Sequence, residues 1–198
     1  MHEHDQQQGG ERQTPETEGA TGVPRVYVAS LADYTAGRLH GEWIDLDDAQ
    51  DLGERVQAML SRSPEPIAEE WAIHDYEGFG PLHLDEYESL DTVAMLAEGI
   101  RQHGPAFAHW VAPEGATTSD LPARFEDAYL GHWESLEAFA ESLFDDFGYQ
   151  QILDQVIPEQ LQPYVRFDAE AWARDLDLGG DITTSEADHG VYVFNAHA

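Results

Sequence analysis

The chain has 198 residues, no cysteine, and 40 acidic residues against nine basic ones, all arginine, for a formal net charge of −31. That balance excludes nucleic acid and an anionic membrane surface as direct partners, since both repel it, and the missing cysteines exclude a disulfide scaffold and a cysteine nucleophile. A hydrophobic fraction of 41% with 11% aromatics supports a packed core, so this is not a disordered acidic polymer.

Residues 1–22 hold five acids, one arginine and almost no large apolar side chain, and read as a disordered acidic tail. The remaining −27 falls on residues 23–198, so the charge belongs to the folded part. There is no N-terminal basic-then-apolar signal and no apolar run of the roughly 18 residues a membrane span needs; a cytoplasmic protein is expected.

RVYVASL (25–31) is a strand by its β-branched and aromatic content, and GRLHGEWIDL (37–46) gives glycine punctuation and a second strand. DDAQDLGERVQAMLSRS (47–63) places Leu52, Val56, Met59 and Leu60 at helical spacing, ended by SPEP. EEWAIHDYEGFG (69–80) is a third strand. Strict alternation along it puts His74 and Tyr76 on one face and Asp75 and Glu77 on the other, a poor basis for a metal site.

DEYESLDTVAMLAEGIRQHG (85–104) offers Ser89 as N-cap, Asp91 in the first turn and Gly104 past the end. PAFAHWVA is a second helix, and PEGATTSDLP (113–122) marks a boundary. EYESLDTVA (86–94) and HWESLEAFA (132–140) repeat an aromatic before Glu-Ser-Leu, which reads as a shared helix-start device.

In ESLEAFAESLFDDFG (134–148), Ser135 is the N-cap. Glu137, Glu141 and Asp145 fall within about 80° of one another at rises of roughly 6 Å. Leu136, Phe139, Leu143 and Phe147 take the opposite face. With Glu134 and Asp146 this makes five carboxylates and no basic residue. Like charges at this spacing destabilise a helix by a few tenths of a kcal/mol per pair. A solvated face is the ordinary explanation, but such faces mix signs. Rigid carboxylates a few ångströms apart also copy duplex DNA, which carries about one negative charge per 1.7 Å of axis.

QILDQVIPEQLQPYVRFDAEAWARDLDL (151–178) reads as short helices separated by Pro158 and Pro163, and DITTS with GVYVF as a terminal hairpin. The expected fold is α+β, in three small domains: an antiparallel sheet plus helix (23–87), a helical middle (88–122) and a mixed C-terminal domain (123–198). There is no HExxH, GxSxG, P-loop or GxGxxG, and no catalytic residue, metal ligand or cofactor is nominated. Tyr27, Tyr34, Trp43, Trp71, Tyr76 and Tyr87 read as core and rim, since a stacking platform needs a basic groove.

RVYVASLADYTAGRLHGEWIDL, EEWAIHDYEGF, DEYESL, FEDAYLGHWESLEAFAESL, PEQLQPYVRFDAEAWARDL and HGVYVF, in that order from about Val23 to Phe194, together resemble the ArdA antirestriction proteins. The resemblance implies a protein of mobile elements that mimics DNA. Such proteins inhibit type I restriction-modification enzymes by occupying the DNA-binding cleft of the methyltransferase core with its specificity subunit. It also implies an elongated three-domain chain, a homodimer formed through the C-terminal domain, and an antirestriction motif within Leu143 to Leu176. Carried onto matching positions, the mimic surface includes Asp75, Glu77, Asp85, Glu86, Glu88, Glu126, Asp127, Glu137, Glu141, Asp145 and Asp146. Asp91, Glu134, Glu159, Asp168 and Glu170 extend it. Val191, Tyr192, Val193 and Phe194 are either a dimer-interface strand or an internal sheet strand. The long tail and Thr35 of DYTAG, where relatives often have Asn, are departures. Two other classes compete: an acidic histone-chaperone-like binder of basic proteins, and a salt-adapted acidic domain of unrelated function.

Overall fold

The structure is a computed structural model that describes residues 22–48, 51–113, 115 and 120–198. The acidic tail expected over 1–22 lies, Gly22 aside, outside the described residues, as does much of the turn expected over 113–122.

The fold is α+β, with two three-stranded antiparallel sheets. In the first, β1 (Arg25–Ser30) is central between β2 (Gly41–Asp45) and β3 (Trp71–Glu77). Val26, Val28 and Ile44 point inward and are fully buried, as alternation in a one-sided sheet requires. Between β1 and β2 the short helix α1 (Leu31–Thr35) starts at Ser30, whose hydroxyl accepts from the Asp33 amide. Helix α2 (Leu52–Ser61) lays the expected Leu52, Val56, Met59 and Leu60 against the sheet.

Alternation fails in β3. Tyr27 pairs with Asp75 while Val28 pairs with Ile73, so His74 is the extra residue of a bulge. Ala72 and Ile73 are both buried, and His74 and Asp75 are both exposed. The expected two-face separation of His74 and Tyr76 from Asp75 and Glu77 is therefore corrected. The bulge rolls the strand and turns His74 outward against the Tyr34 ring, 5.2 Å away.

Helix α3 (Leu90–His103) starts at Ser89, whose Oγ accepts from the Thr92 amide at 3.1 Å, and ends at Gly104 with φ 71°. Helix α4 (Pro105–Val111) folds back on it. A Cβ at Gly99 would lie 2.3 Å from the Phe107 ring, so glycine permits this close approach. Helix α5 (Leu121–Ala128) adds Leu121 and Phe125. One continuous core runs from Val26 through Phe107 and Phe125 to Tyr192 and Phe194, and so joins the first sheet, the middle helices and the second sheet.

In the second sheet β6 (Val191–Asn195) is central between β4 (Tyr129–Trp133) and β5 (Ile182–Glu186). The β5–β6 hairpin was expected; β4 was not, because YLGHW is short, interrupted by Gly131, and directly follows a helix. Gly190 sets the hairpin turn at φ 88°, where a Cβ would collide with the Trp133 carbonyl at 2.0 Å. Helix α6 (Leu136–Asp146) packs Phe139 onto Ile182 and Val193 of this sheet. Its Ala140 meets Ala169 and Ala173 of α8 (Ala169–Gly179), small side chains that let the two helices close up. Between them run α7 (Tyr149–Val156) and a 3-10 turn (Gln162–Tyr164).

Candidate partner-binding surface

The carboxylates that could contact a partner occupy four stretches. On β3 and its exit, Asp75, Glu77, Asp85 and Glu86 are exposed and Glu88 is half-buried. Glu77 is paired with Arg25 at 2.7 Å, Asp85 has His83 at 3.9 Å, and Asp75 accepts the Tyr76 amide at 2.9 Å. Glu88 accepts from the Ser89 amide at 3.2 Å and Asp91 sits in the first turn of α3, so both complement a helix N-terminus. On α5, Glu126 and Asp127 are exposed, Glu126 lying 4.0 Å from His103 Nε2. That ring is held between Phe107 and Phe125 at 6.0 and 5.0 Å.

The third stretch is α6. Its N-cap is Ser135, whose Oγ accepts from the Ala138 amide at 3.1 Å, the same device that starts α3. Glu134, Glu137, Glu141, Asp145 and Asp146 are all exposed, while Phe139, Ala140 and Phe144 are buried beneath. The stripe is thus held on a helix fixed from two sides, by the sheet and by α8. Phe147 does not join the buried face as expected. The helix ends at Asp146, Phe147 caps it, Gly148 turns the chain at φ 64°, and Phe147 stays 57% exposed with its ring 5.3 Å from Tyr149.

The fourth stretch is α8 with the turn before it. Glu159, Asp168 and Glu170 are exposed, and Asp168 is also the N-cap, accepting the Ala171 amide at 2.9 Å. Asp154, Asp175, Asp177, Asp181, Glu186 and Asp188 share this end of the molecule and are exposed too. Sequence alone does not set them apart, because Arg166 and Arg174 lie among them; only the structure shows that neither arginine pairs with a described carboxylate.

Arginine placement separates the two ends. Over residues 22–128, Arg25 pairs with Glu77, Arg38 with Asp33 and Glu65, Arg55 with Asp51, Arg62 with Glu42, and Arg101 with Glu98. Over residues 129–198, no arginine among the described residues lies within 4.0 Å of a carboxylate. There Arg166 donates instead to the carbonyls of Pro163 and Val165, at 3.0 and 2.9 Å.

Asp33 is the exception to exposure. It is fully buried and accepts from the Ser63 hydroxyl and, at 3.4 Å, from Arg38 Nε. Burial pushes its carboxyl up, but the hydrogen bonds from Ser63, Ser30 and Arg38 outweigh that and hold it below the usual carboxylate value. It is a structural tie between α1 and the exit of α2, not a surface charge. At the other junction, burial lowers the pKa of His109, whose Nδ1 is 2.8 Å from Ser185 Oγ, and pushes Tyr129 up to about 12.

Val191, Tyr192, Val193 and Phe194 are the internal strand of their sheet. Both edges of β6 are hydrogen-bonded within the chain, and Tyr192, Val193 and Phe194 are buried at 8, 0 and 2% exposure. The interface-strand alternative is replaced by the internal-strand one. Of the six aromatics read as core and rim, none is fully buried. Tyr27, Trp71 and Tyr76 are partly covered, and Tyr34, Trp43 and Tyr87 are exposed. Among the described residues no group of three or more His, Asp or Glu is placed to hold a metal, and no helix is long and apolar enough to cross a membrane.

A small α+β scaffold that presents carboxylates from several elements, and leaves those of one end without arginine partners, defines a class of acid-faced binding protein. The family model described as "Antirestriction protein (ArdA)" matches residues 26–192 of the 198, and the chain belongs to this family of antirestriction proteins. No curated protein matches the chain.

Proposed function

We propose that this antirestriction protein acts as a non-enzymatic DNA mimic. It occupies the DNA-binding cleft of a type I restriction-modification enzyme, formed by the methyltransferase core with its specificity subunit. Restriction of incoming DNA is thereby blocked, and modification with it. The observation that carries this reading is the C-terminal array. Fourteen carboxylates and two arginines fall in residues 129–198, and no described arginine there pairs with a carboxylate. Carboxylates without arginine partners on fixed helices repel one another in the isolated protein. A basic cleft relieves that repulsion, and the counterions it releases add to affinity, as they do when DNA binds.

Binding by such an array is distributed, so the contact is the sum of Asp75, Asp85, Glu86, Glu126, Asp127 and the α6 and α8 carboxylates, without one dominant residue. The three segments 23–87, 88–122 and 123–198 would act as successive stretches of the mimic. A homodimer would double its length. With β6 internal, the sheet edges available for pairing are β4 and β5.

The test is a competition. The protein is titrated into a type I methyltransferase bound to its labelled DNA site, at several salt concentrations, beside an unrelated DNA-binding protein. Displacement at near-stoichiometric amounts, weakening with salt and absent for the control, is the expected result. No displacement from type I enzymes of several families would sink the proposal. Equal displacement of the control, or of histone-like proteins, would favour a general sink for basic proteins.

A further inference from the structure

Carboxylates of the proposed mimic lie on both sides of one junction. Asp75, Asp85, Glu86, Glu126 and Asp127 belong to residues 22–128, and those of α6 and α8 to residues 129–198. The two regions meet where α4 and α5 touch β6. That contact is largely apolar: the Phe125 ring lies 5.1 Å from Tyr129 and 6.2 Å from Phe194. A polar pair crosses it as well. His109 on α4 has its Nδ1 2.8 Å from Ser185 Oγ on β5, and the two residues are 76 positions apart in the chain. The ion pairs described above, by contrast, all stay within one region. The His109 ring also rests against Tyr192 at 5.2 Å, and Tyr192 against His132 at 5.0 Å. His132 is in turn hydrogen-bonded to the His189 carbonyl beside the hairpin turn. Burial outweighs the pull of Asp188 and lowers the His109 pKa, so at neutral pH the ring is uncharged and the pair is a neutral hydrogen bond.

Apolar packing is non-directional and tolerates small slides and rotations, whereas a hydrogen bond holds only within a narrow window of distance and angle. A ring held by both Tyr192 and Ser185 therefore fixes how α4 sits on the second sheet. Helix α4 is itself locked to the first region, because Phe107 closes on Gly99 of α3. The second sheet in turn carries α6 on Phe139. The path from one group of carboxylates to the other runs through this pair. We infer that His109 and Ser185 are positioning residues: they set the angle at which the carboxylates of residues 129–198 continue those of residues 22–128, so that both groups meet one cleft ready-made. The inference rests on the mimic reading and adds to it. Two linked groups of contacts engage together only when their geometry matches the site, and fixing that geometry beforehand removes the cost of ordering it on binding. Affinity then depends on two neutral side chains that need not touch the partner.

The test uses the same competition assay with the full chain at neutral pH. In His109→Phe/Ser185→Ala both polar partners are replaced together by apolar groups, which leaves no unpaired polar atom and is near neutral for stability. His109→Asn keeps a polar group near the place of Nδ1 and serves as the rescue. Neither variant alters a carboxylate. Unfolding in denaturant, solution mass by light scattering and the spread of molecular dimensions by small-angle X-ray scattering are read beside affinity. For the double variant the expected result is an unchanged unfolding midpoint and mass, a broader spread of dimensions, and an affinity lower by about fivefold at every salt concentration. The slope of log affinity against log salt should hold, because the same carboxylates still enter the cleft. His109→Asn should stay within about twofold of the unsubstituted protein. Should the double variant not fold, Ser185→Ala alone takes its place, with a loss of about threefold. Unaltered affinity would overturn the inference, as would a loss that Asn does not restore or one matched by lower stability. A loss that follows a change in solution mass would do the same, since the pair would then serve contact with a second copy. Failure of the unsubstituted protein to displace DNA at any salt would instead strike the mimic reading, whereas unbroadened dimensions in the double variant would strike the positioning role whatever the target.

Discussion

Residues 22–128 and 129–198 use charge in opposite ways. In the first region five of six arginines are paired with carboxylates, and the sixth, Arg124, lies over the Trp110 ring at 5.6 Å. One carboxylate, Asp33, is taken inside and satisfied by hydrogen bonds. This region also holds most of the large core that runs from the first sheet through the middle helices. In the second region Tyr192 and Phe194 join that core, two small clusters form around Phe139 and Ala140, and fourteen carboxylates face only two arginines, neither of them paired with a described carboxylate. The contrast teaches that a −31 chain need not be uniformly strained. Five of its arginines offset carboxylates in the first region, and α6 carries none.

The comparison can be broken most severely from the structural side. Phe107 is fully buried against α3, and Phe107→Ala is expected to cost about 3–5 kcal/mol, read from denaturant unfolding. Next comes the functional side. Replacing Glu137, Glu141, Asp145 and Asp146 together by their amides is expected to weaken inhibition about 100-fold, near 2.7 kcal/mol by the tenfold rule, and to flatten its salt dependence. The same variant should unfold at a slightly higher temperature, because two like-charged i,i+4 pairs disappear, each worth about 0.2–0.5 kcal/mol. Weaker inhibition with raised stability separates a binding surface from an ordinary solvated face. An unchanged inhibition would end the distinction between the two regions.

A titration sharpens it further. The Asp33 carboxyl is held below its ordinary value of 3.8, so the folded state releases its proton more readily than the unfolded chain. Its contribution is complete above that ordinary value and is lost as pH falls through the lowered folded one. Unfolding followed from pH 5 down to pH 2 should show this loss, and Asp33→Asn should remove that part of the pH dependence. Smaller again, Arg25→Gln breaks an exposed pair with Glu77 and a contact 4.7 Å above the Trp43 ring. It should cost about 1 kcal/mol in stability and leave inhibition unchanged or slightly improved. Smallest of all, Glu141→Gln alone should change inhibition by less than about threefold, because one charge among many carries little.

Several elements were legible from residue order because their causes are local. Ser89 and Ser135 cap α3 and α6 through their own hydroxyls, three residues from the amides they bind. Leu52, Val56, Met59 and Leu60 declare the buried side of α2 by spacing alone. The β5–β6 hairpin needs only two β-rich runs and a turn. The stripe of Glu137, Glu141 and Asp145 follows from helical period, and so does its exposure once Phe139 and Phe144 are buried opposite.

Other features depended on partners distant in the chain. The bulge at His74 arises from how β3 registers against β1, some 45 residues earlier, and it overturned an alternation that was sound for an unbulged strand. Strand β4 becomes a strand because β6, about 60 residues later, offers a free edge. That same pairing makes β6 internal and buries Tyr192, Val193 and Phe194, which from sequence served an interface equally well. Phe147 is apolar and in phase with the buried face of α6, yet the helix ends one residue too soon for it to be covered.

Charge, the absence of lysine and cysteine, helix starts and the one-signed stripe were therefore determined by the sequence itself, since composition and i to i+4 spacing need no tertiary partner. Tertiary structure alone decided which carboxylates are neutralised by arginine, which strand is central, and which apolar side chains of α7 remain uncovered. Pairing, register and burial are relations between segments far apart in the chain, and no local pattern encodes them.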